Sequence, residues 1–115
     1  MELSSRVVDK IVILTLSGRF DAHERPKFSV WLDKQVSADT AYVLVNMSGV
    51  HFIDSTGLSS LVQGMKHCRQ EEGDLSLCEL QQPVRIIFEL TRLDRAFDIY
   101  TSEAEGLRGM AAKQE

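Results

Sequence analysis

Little in this chain calls for covalent or metal reinforcement. Cys68 and Cys78 are its only cysteines, too few for the disulfide framework of a small exported domain. Their spacing lacks the close ligand pairs of a zinc site, so they read as reduced thiols packed as small hydrophobes. His23, His51 and His67 stand far apart without flanking ligands, and the sequence draws neither a metal set nor a Cys–His nucleophile. With 2 prolines and 7 glycines in 115 residues, no stretch reads as linker or low-complexity tract. No apolar run approaches the roughly 20 residues of a membrane span, and Met1–Arg6 lacks the apolar core of a signal peptide. A basic excess is missing too. Thirteen Lys and Arg stand against 17 Asp and Glu, for a formal net charge of −4, whereas nucleic-acid binding needs a basic stripe. The reading is a cytoplasmic protein with no nucleic-acid partner, no membrane partner and no cofactor.

What is present fits one globular domain over 1–115. The apolar share is 43% and the charged share 26%, close to the average for folded domains. Arg6–Val8 and Ile11–Ser17 are β-rich stretches broken by Asp9-Lys10, a hairpin pattern, with one face of the second more buried and Gly18 ending it. Phe28, Trp31, Leu32 and Val36 fall on one helical face, with Pro26 in the first turn where its missing N–H costs nothing. Ala41–Met47 reads as a strand covered on both faces. Leu58, Leu61, Val62, Met65 and Cys68 recur at helical spacing, closed by Gly73. Leu75–Leu80 is a short strand, and Pro83 opens a third helix carrying Val84, Ile87, Leu90 and Leu93. A last strand spans Phe97–Tyr100. Ser102 with Glu105 is a capping box for a terminal helix, after which Lys113-Gln114-Glu115 should fray. Strands alternating with helices imply an α/β domain with a mixed, mostly parallel sheet.

The segment from Thr40 to Cys68 carries only two formal charges, Asp54 and Lys66. At its centre stands His51-Phe52-Ile53-Asp54-Ser55-Thr56-Gly57-Leu58, small polar residues between a buried strand and a helix. Ligand sites of open α/β sheets lie at the carboxyl ends of strands. On spacing alone the plainer reading, a helix cap worth about 1 kcal/mol, stays open. Catalytic readings fail on residue type. Thr56 interrupts an aspartic-protease triplet, Ile53 stands where a hydrolase elbow needs Gly, and no Gly-rich loop with Lys makes a P-loop. What remains is a serine hydroxyl at the positive end of a helix, where added phosphate would change binding.

Asp54-Ser55-Thr56-Gly57-Leu58 after an apolar strand resembles the phosphorylation loop of the anti-sigma factor antagonists, bacterial members of the STAS family. Gly18-Arg19-Phe20-Asp21-Ala22 followed by Pro26 is similar to that family's Gly-x-hydrophobic-Asp segment. Leu80 to Tyr100, with Pro83-Val84 and Leu90-Thr91-Arg92-Leu93-Asp94-Arg95-Ala96-Phe97, supplies a third match. The ordered set covers about residues 5–108. Ser59 stands where many relatives carry Gly.

The resemblance implies a STAS-like fold: a mixed sheet with an N-terminal hairpin, flanked by about four helices. It implies a protein that is no enzyme. Unphosphorylated, such a protein sequesters an anti-sigma factor that is also a serine kinase, freeing the sigma factor. The kinase then inactivates it at the serine after the loop aspartate, here Ser55, and a PP2C-type phosphatase restores it. Thr56 is a secondary acceptor; Asp21, Asp54 and Gly57 support the loop. The outward residues of the second helix, Ser59, Gln63 and Lys66, join Ser55 and Thr56 as the partner surface. The chain would act as a monomer or weak dimer. Two rivals remain: a STAS subunit of another assembly, such as a stress-sensing complex or lipid-transport machine, and a small nucleotide-binding enzyme.

Overall fold

A computed structural model describes residues 1–114. Strands β1 (Glu2–Val8) and β2 (Ile11–Phe20) pair antiparallel. Asp9 and Lys10 join them with φ of 49° and 69°, a left-handed turn that suits the twist of a hairpin. Strands β3 (Tyr42–Ile53), β4 (Asp74–Cys78) and β5 (Ile99–Tyr100) continue the sheet in parallel. Their spatial order is their chain order, β1-β2-β3-β4-β5.

Helices α1 (Arg25–Gln35), α2 (Ser55–Gln70) and α3 (Gln82–Leu90) connect the parallel strands in turn. Parallel crossovers are right-handed, so strands added always on the same side put all three helices on one face. There Phe28, Leu32, Leu61, Met65, Val84 and Phe88 pack on Val12, Leu14, Val43 and Val45. The opposite face is left to α4 (Glu103–Lys113), whose Met110 packs on Ile11, Leu44 and Cys78. That cover explains why Ile11, Val12, Ile13 and Leu14 are all buried, where the alternation of residues suggested one favoured face.

Several boundaries differ from the sequence reading. β2 runs past Gly18 to Phe20, absorbing register shifts at Thr15/Ser17 and Gly18/Arg19, with Gly18 at φ +103°. β3 begins at Tyr42 and runs past Ser48-Gly49 to Ile53; a Cβ on Gly49 would lie 2.7 Å from the Ser17 Cβ, so the glycine marks a close strand approach. β4 ends at Cys78 because Glu79 turns the chain away at φ 58°. α2 is closed by Glu72 in the left-handed region, and Gly73 then passes Ala41 where any Cβ would clash with backbone. α3 stops before Leu93: the Thr91 hydroxyl donates back to the Ile87 carbonyl at 2.7 Å, and Arg92 adopts φ 64°. Leu93 begins a 3-10 turn to Arg95, and Phe97, outside β5, packs edge-on to Phe88 at 5.8 Å. Both cysteines are free and buried, on opposite sheet faces. Burial first, and then nearby carboxylates, pushes each thiol up to about 12.

Lys113 is not frayed, although Glu115 lies outside the described residues. Its ammonium donates to Asp74 Oδ2 at 2.6 Å and to Ser76 Oγ at 3.2 Å, and it pairs with Asp98. Arg69 Nε donates to Asp74 Oδ1 at 3.0 Å. Burial works against the Asp74 charge, but the hydrogen bonds from Lys113 and Arg69 outweigh it and hold the carboxyl below its ordinary value. A depressed carboxyl stabilises the fold above its unfolded value of about 3.9, and the contribution is lost as pH falls through the lower folded value. Urea unfolding across about pH 6 to pH 2.5 should therefore show an acid limb that Asp74→Asn flattens. An unchanged acid slope in that variant would remove this anchor from the stability of α4.

Candidate functional site

Phe20 and Ile53 are register partners at the carboxyl ends of β2 and β3, so Asp21 and Asp54 leave the sheet side by side. The Asp54 amide donates to the Phe20 carbonyl at 3.2 Å. Its carboxylate then serves two chain segments. Oδ1 accepts from the Gly57 amide at 2.9 Å, capping α2, and Oδ2 accepts from the Ala22 amide at 3.2 Å, holding the turn before α1.

Asp21 closes its own turn, with Oδ1 accepting from the Glu24 amide at 3.1 Å. Its Oδ2 lies 3.6 Å from Arg19 Nε, and the Arg19 guanidinium sits 3.9 Å above the Phe52 ring. Asp21 is thus a turn cap and a neighbour of the Asp54 segment at once. Beyond it, Glu24 meets the Met1 ammonium at 2.8 Å and Lys27 at 3.1 Å, which hold its carboxyl down at about 2.

Ser55 is not in a loop. β3 reaches Ile53 and α2 begins at Ser55, so the connection is Asp54 alone. Ser55 is exposed, and in the first helical turn its N–H and that of Thr56 have no acceptor within the helix. Thr56 is half-buried; its carbonyl accepts from the Ser60 hydroxyl at 2.9 Å, and Ser60 is only 2% exposed. Gly57 lets the helix start press onto the sheet: a Cβ there would lie 2.4 Å from the Phe20 carbonyl oxygen and 2.8 Å from Ile53 Cγ1.

A groove of about 400 Å³ runs from Ser55 along α2, lined by Leu58, Ser59, Val62, Gln63, Lys66 and Leu93. It gathers Ser55, Ser59, Gln63 and Lys66 in one place, while Thr56 and Gly57 stand outside its lining. Arg25 Nη2 donates to Gln63 Oε1 at 3.3 Å, fixing the outer face of α2 to α1. Three apolar wall residues were not foreseen. Leu58 and Val62 belong to the inward stripe by spacing yet border the groove, and Leu93 was assigned to a longer α3. The signal for Val62 was available, since it lies seven residues after Ser55 and so returns to the same helix face. Among the described residues no helix is long and apolar enough to cross a membrane.

A five-stranded sheet with strands in chain order, three helices on one face and one on the other defines a small α/β class. The chain belongs to the STAS domain family, whose family model matches residues 2–106. The anti-sigma-B factor antagonist of Listeria monocytogenes is 30% identical over 105 residues, covering 91% of each chain. Protein TM1081 of Thermotoga maritima shares the fold with a TM-score of 0.87 at 23% identity, covering 95% of this chain and 94% of that one. The anti-sigma factor antagonist SpoIIAA in its unphosphorylated form superposes with a TM-score of 0.76 at 20% identity, covering 96% and 97%.

Two variants test how the site is held. Alanine favours a helix over glycine by about 1 kcal/mol, but the Phe20 carbonyl blocks a Cβ at position 57, and such overpacking costs about 1–3 kcal/mol. Gly57→Ala should therefore be destabilised in urea unfolding. A stabilised protein would show that α2 is free to slide on the sheet. Asp54→Ala, which loses the cap and the Ala22 tie, should cost about 1–2 kcal/mol.

Proposed function

We propose that this chain is a cytoplasmic anti-sigma factor antagonist whose partner binding is switched off by phosphate on Ser55. The observation that carries this reading is the position of Ser55: an exposed hydroxyl on the first residue of α2, at the head of the groove formed with Ser59, Gln63 and Lys66. The names of the chain's relatives support it. The Listeria homologue is an anti-sigma-B factor antagonist, and SpoIIAA has structures in both unphosphorylated and phosphorylated forms.

In this reading the partner is an anti-sigma factor with serine kinase activity, which releases its sigma factor when it takes up the groove. The partner supplies the ATP chemistry. The Ser55 oxygen attacks the γ-phosphorus, ADP departs, and the hydroxyl proton is released. A PP2C-type phosphatase returns the hydroxyl by hydrolysis. Asp54 and Asp21 act as positioning residues, because their oxygens already hold backbone amides.

The switch follows from charge. Phosphoserine adds about 1.5 to 2 negative charges. The open amides of Ser55 and Thr56 solvate them, a helix-end effect worth roughly 0.3–1 kcal/mol. The phosphate therefore stays bound in place without strain on the fold. Near-complete loss of a partner needs a differential of roughly 5 kcal/mol. Desolvating a phosphate beside the Asp21 and Asp54 carboxylates, in a groove with apolar walls, is a cost of that kind.

Incubation with candidate anti-sigma kinases and ATP, read by phosphosite mapping, tests the reading. Ser55→Ala should bind the kinase and take no phosphate. Ser55→Asp should fold normally and bind more weakly than wild type, though less weakly than the phosphorylated protein, since it carries about one charge. Wild-type phosphate uptake by Ser55→Ala would sink the assignment and leave Thr56 and Ser59 as acceptors. Ser60 is already too buried to serve.

A further inference from the structure

β1 is an outer strand. β2 occupies one of its edges, and among the described residues no strand occupies the other. Its odd-numbered residues share the α1 face, since Leu3 pairs with Leu16 and Val7 with Val12. Its even-numbered residues point to the α4 side, where Arg6 pairs with Glu103. On the α1 face lies an apolar groove of about 560 Å³, lined by Met1, Leu3, Pro26, Lys27, Val30 and Trp31. Val30 in its lining is 53% exposed, and Val7, farther along the same face of β1, is 64% exposed.

Proteins ordinarily blunt a bare edge strand with charge, proline or a bulge. β1 has no proline, and its two charges, Glu2 and Arg6, are opposite in sign. An antiparallel copy related by a twofold axis at Ser4 sets Glu2 of each chain against Arg6 of the other. The same register sets each Val7 opposite Met1 of the other chain, over its apolar groove. Centring on Ser5 instead sets Glu2 against Val8 and Arg6 against Ser4, with both charges unmatched. We infer that β1 is a self-association edge: a second copy of this chain pairs antiparallel with it about Ser4, and Val7 of each chain covers the groove of the other. The pairing shares no residue with the groove at Ser55, so the proposed switch stays accessible in the dimer. Either reading can fail without the other.

Sedimentation of the full chain over a concentration series should show a reversible dimer. In an antiparallel pair, opposite Cα atoms lie about 4.5–5.5 Å apart, within disulfide reach. Ser4→Cys should therefore cross-link two chains rapidly on mild oxidation, with Cys68 and Cys78 buried and out of competition. Ser5→Cys, offset along the strand from its own copy, should cross-link much more slowly. Arg6→Glu should weaken the dimer about tenfold, because two opposite-charge pairs become like-charge pairs. Adding Glu2→Arg should restore it. Because Arg6→Glu also loses the pair with Glu103, native circular dichroism of both charge variants at the assay temperature keeps fold loss out of the result. A chain monomeric at every concentration overturns the inference. So does a dimer that ignores charge reversal, or one in which position 5 cross-links faster than position 4.

Discussion

Two oxygens on one side chain join the ends of neighbouring strands. Asp54 holds the Gly57 amide with one and the Ala22 amide with the other, so α2 and the turn before α1 are fixed by a single carboxylate. The positive end of α2 favours a charge there. The cap uses the third amide of the helix and leaves the first two free, which is why Ser55 has donors beside it that no other group claims. A residue at position 54 without a second acceptor oxygen would release the turn before α1, although the backbone bond from the position-54 amide to the Phe20 carbonyl would still tie the strand ends. Gly57 is the steric counterpart of that cap, since only a residue without a Cβ lets the helix start approach the Phe20 carbonyl closely enough to be capped.

Chirality does the next part of the work. Right-handed crossovers between strands added in one direction leave the second face of the sheet bare. α4 covers it, and Lys113 fastens that helix to Asp74 and Asp98. The arrangement separates two tasks. The face with three helices carries the large core and the groove at Ser55, while the face with one helix closes the fold.

The strands, the helices and the Asp54-Ser55-Thr56-Gly57 motif were legible because their signals are local. Val43–Val45 is apolar without a break, and α2 repeats at helical spacing. Other features depend on contacts between distant segments. Ser48-Gly49 looks like a strand end, yet Gly49 serves the approach of Ser17 from β2. Leu93 fits the helical repeat of α3, but a back-bonded Thr91 and a left-handed Arg92 stop the helix first. Lys113 reads as a solvated tail residue until Asp74 and Asp98 are placed beside it. At the site, Ser55 and Asp54 were visible as a motif. The double hydrogen bond of Asp54 needed the register of β2 on β3, which no local pattern encodes.

The coincidence of spatial and chain order has a consequence for how the molecule is made. No strand has to be inserted between two others, so each new strand meets a finished edge as the chain leaves the ribosome. By the time α2 has emerged, both strand ends, the Asp54 cap and the Ser55 hydroxyl are already made of residues in hand. Only Leu93, on the far wall of the groove, comes later. The groove at Ser55 is therefore built almost wholly from residues that precede β4, and α4, which is translated after all five strands, covers a sheet whose Ser55 end is already shaped.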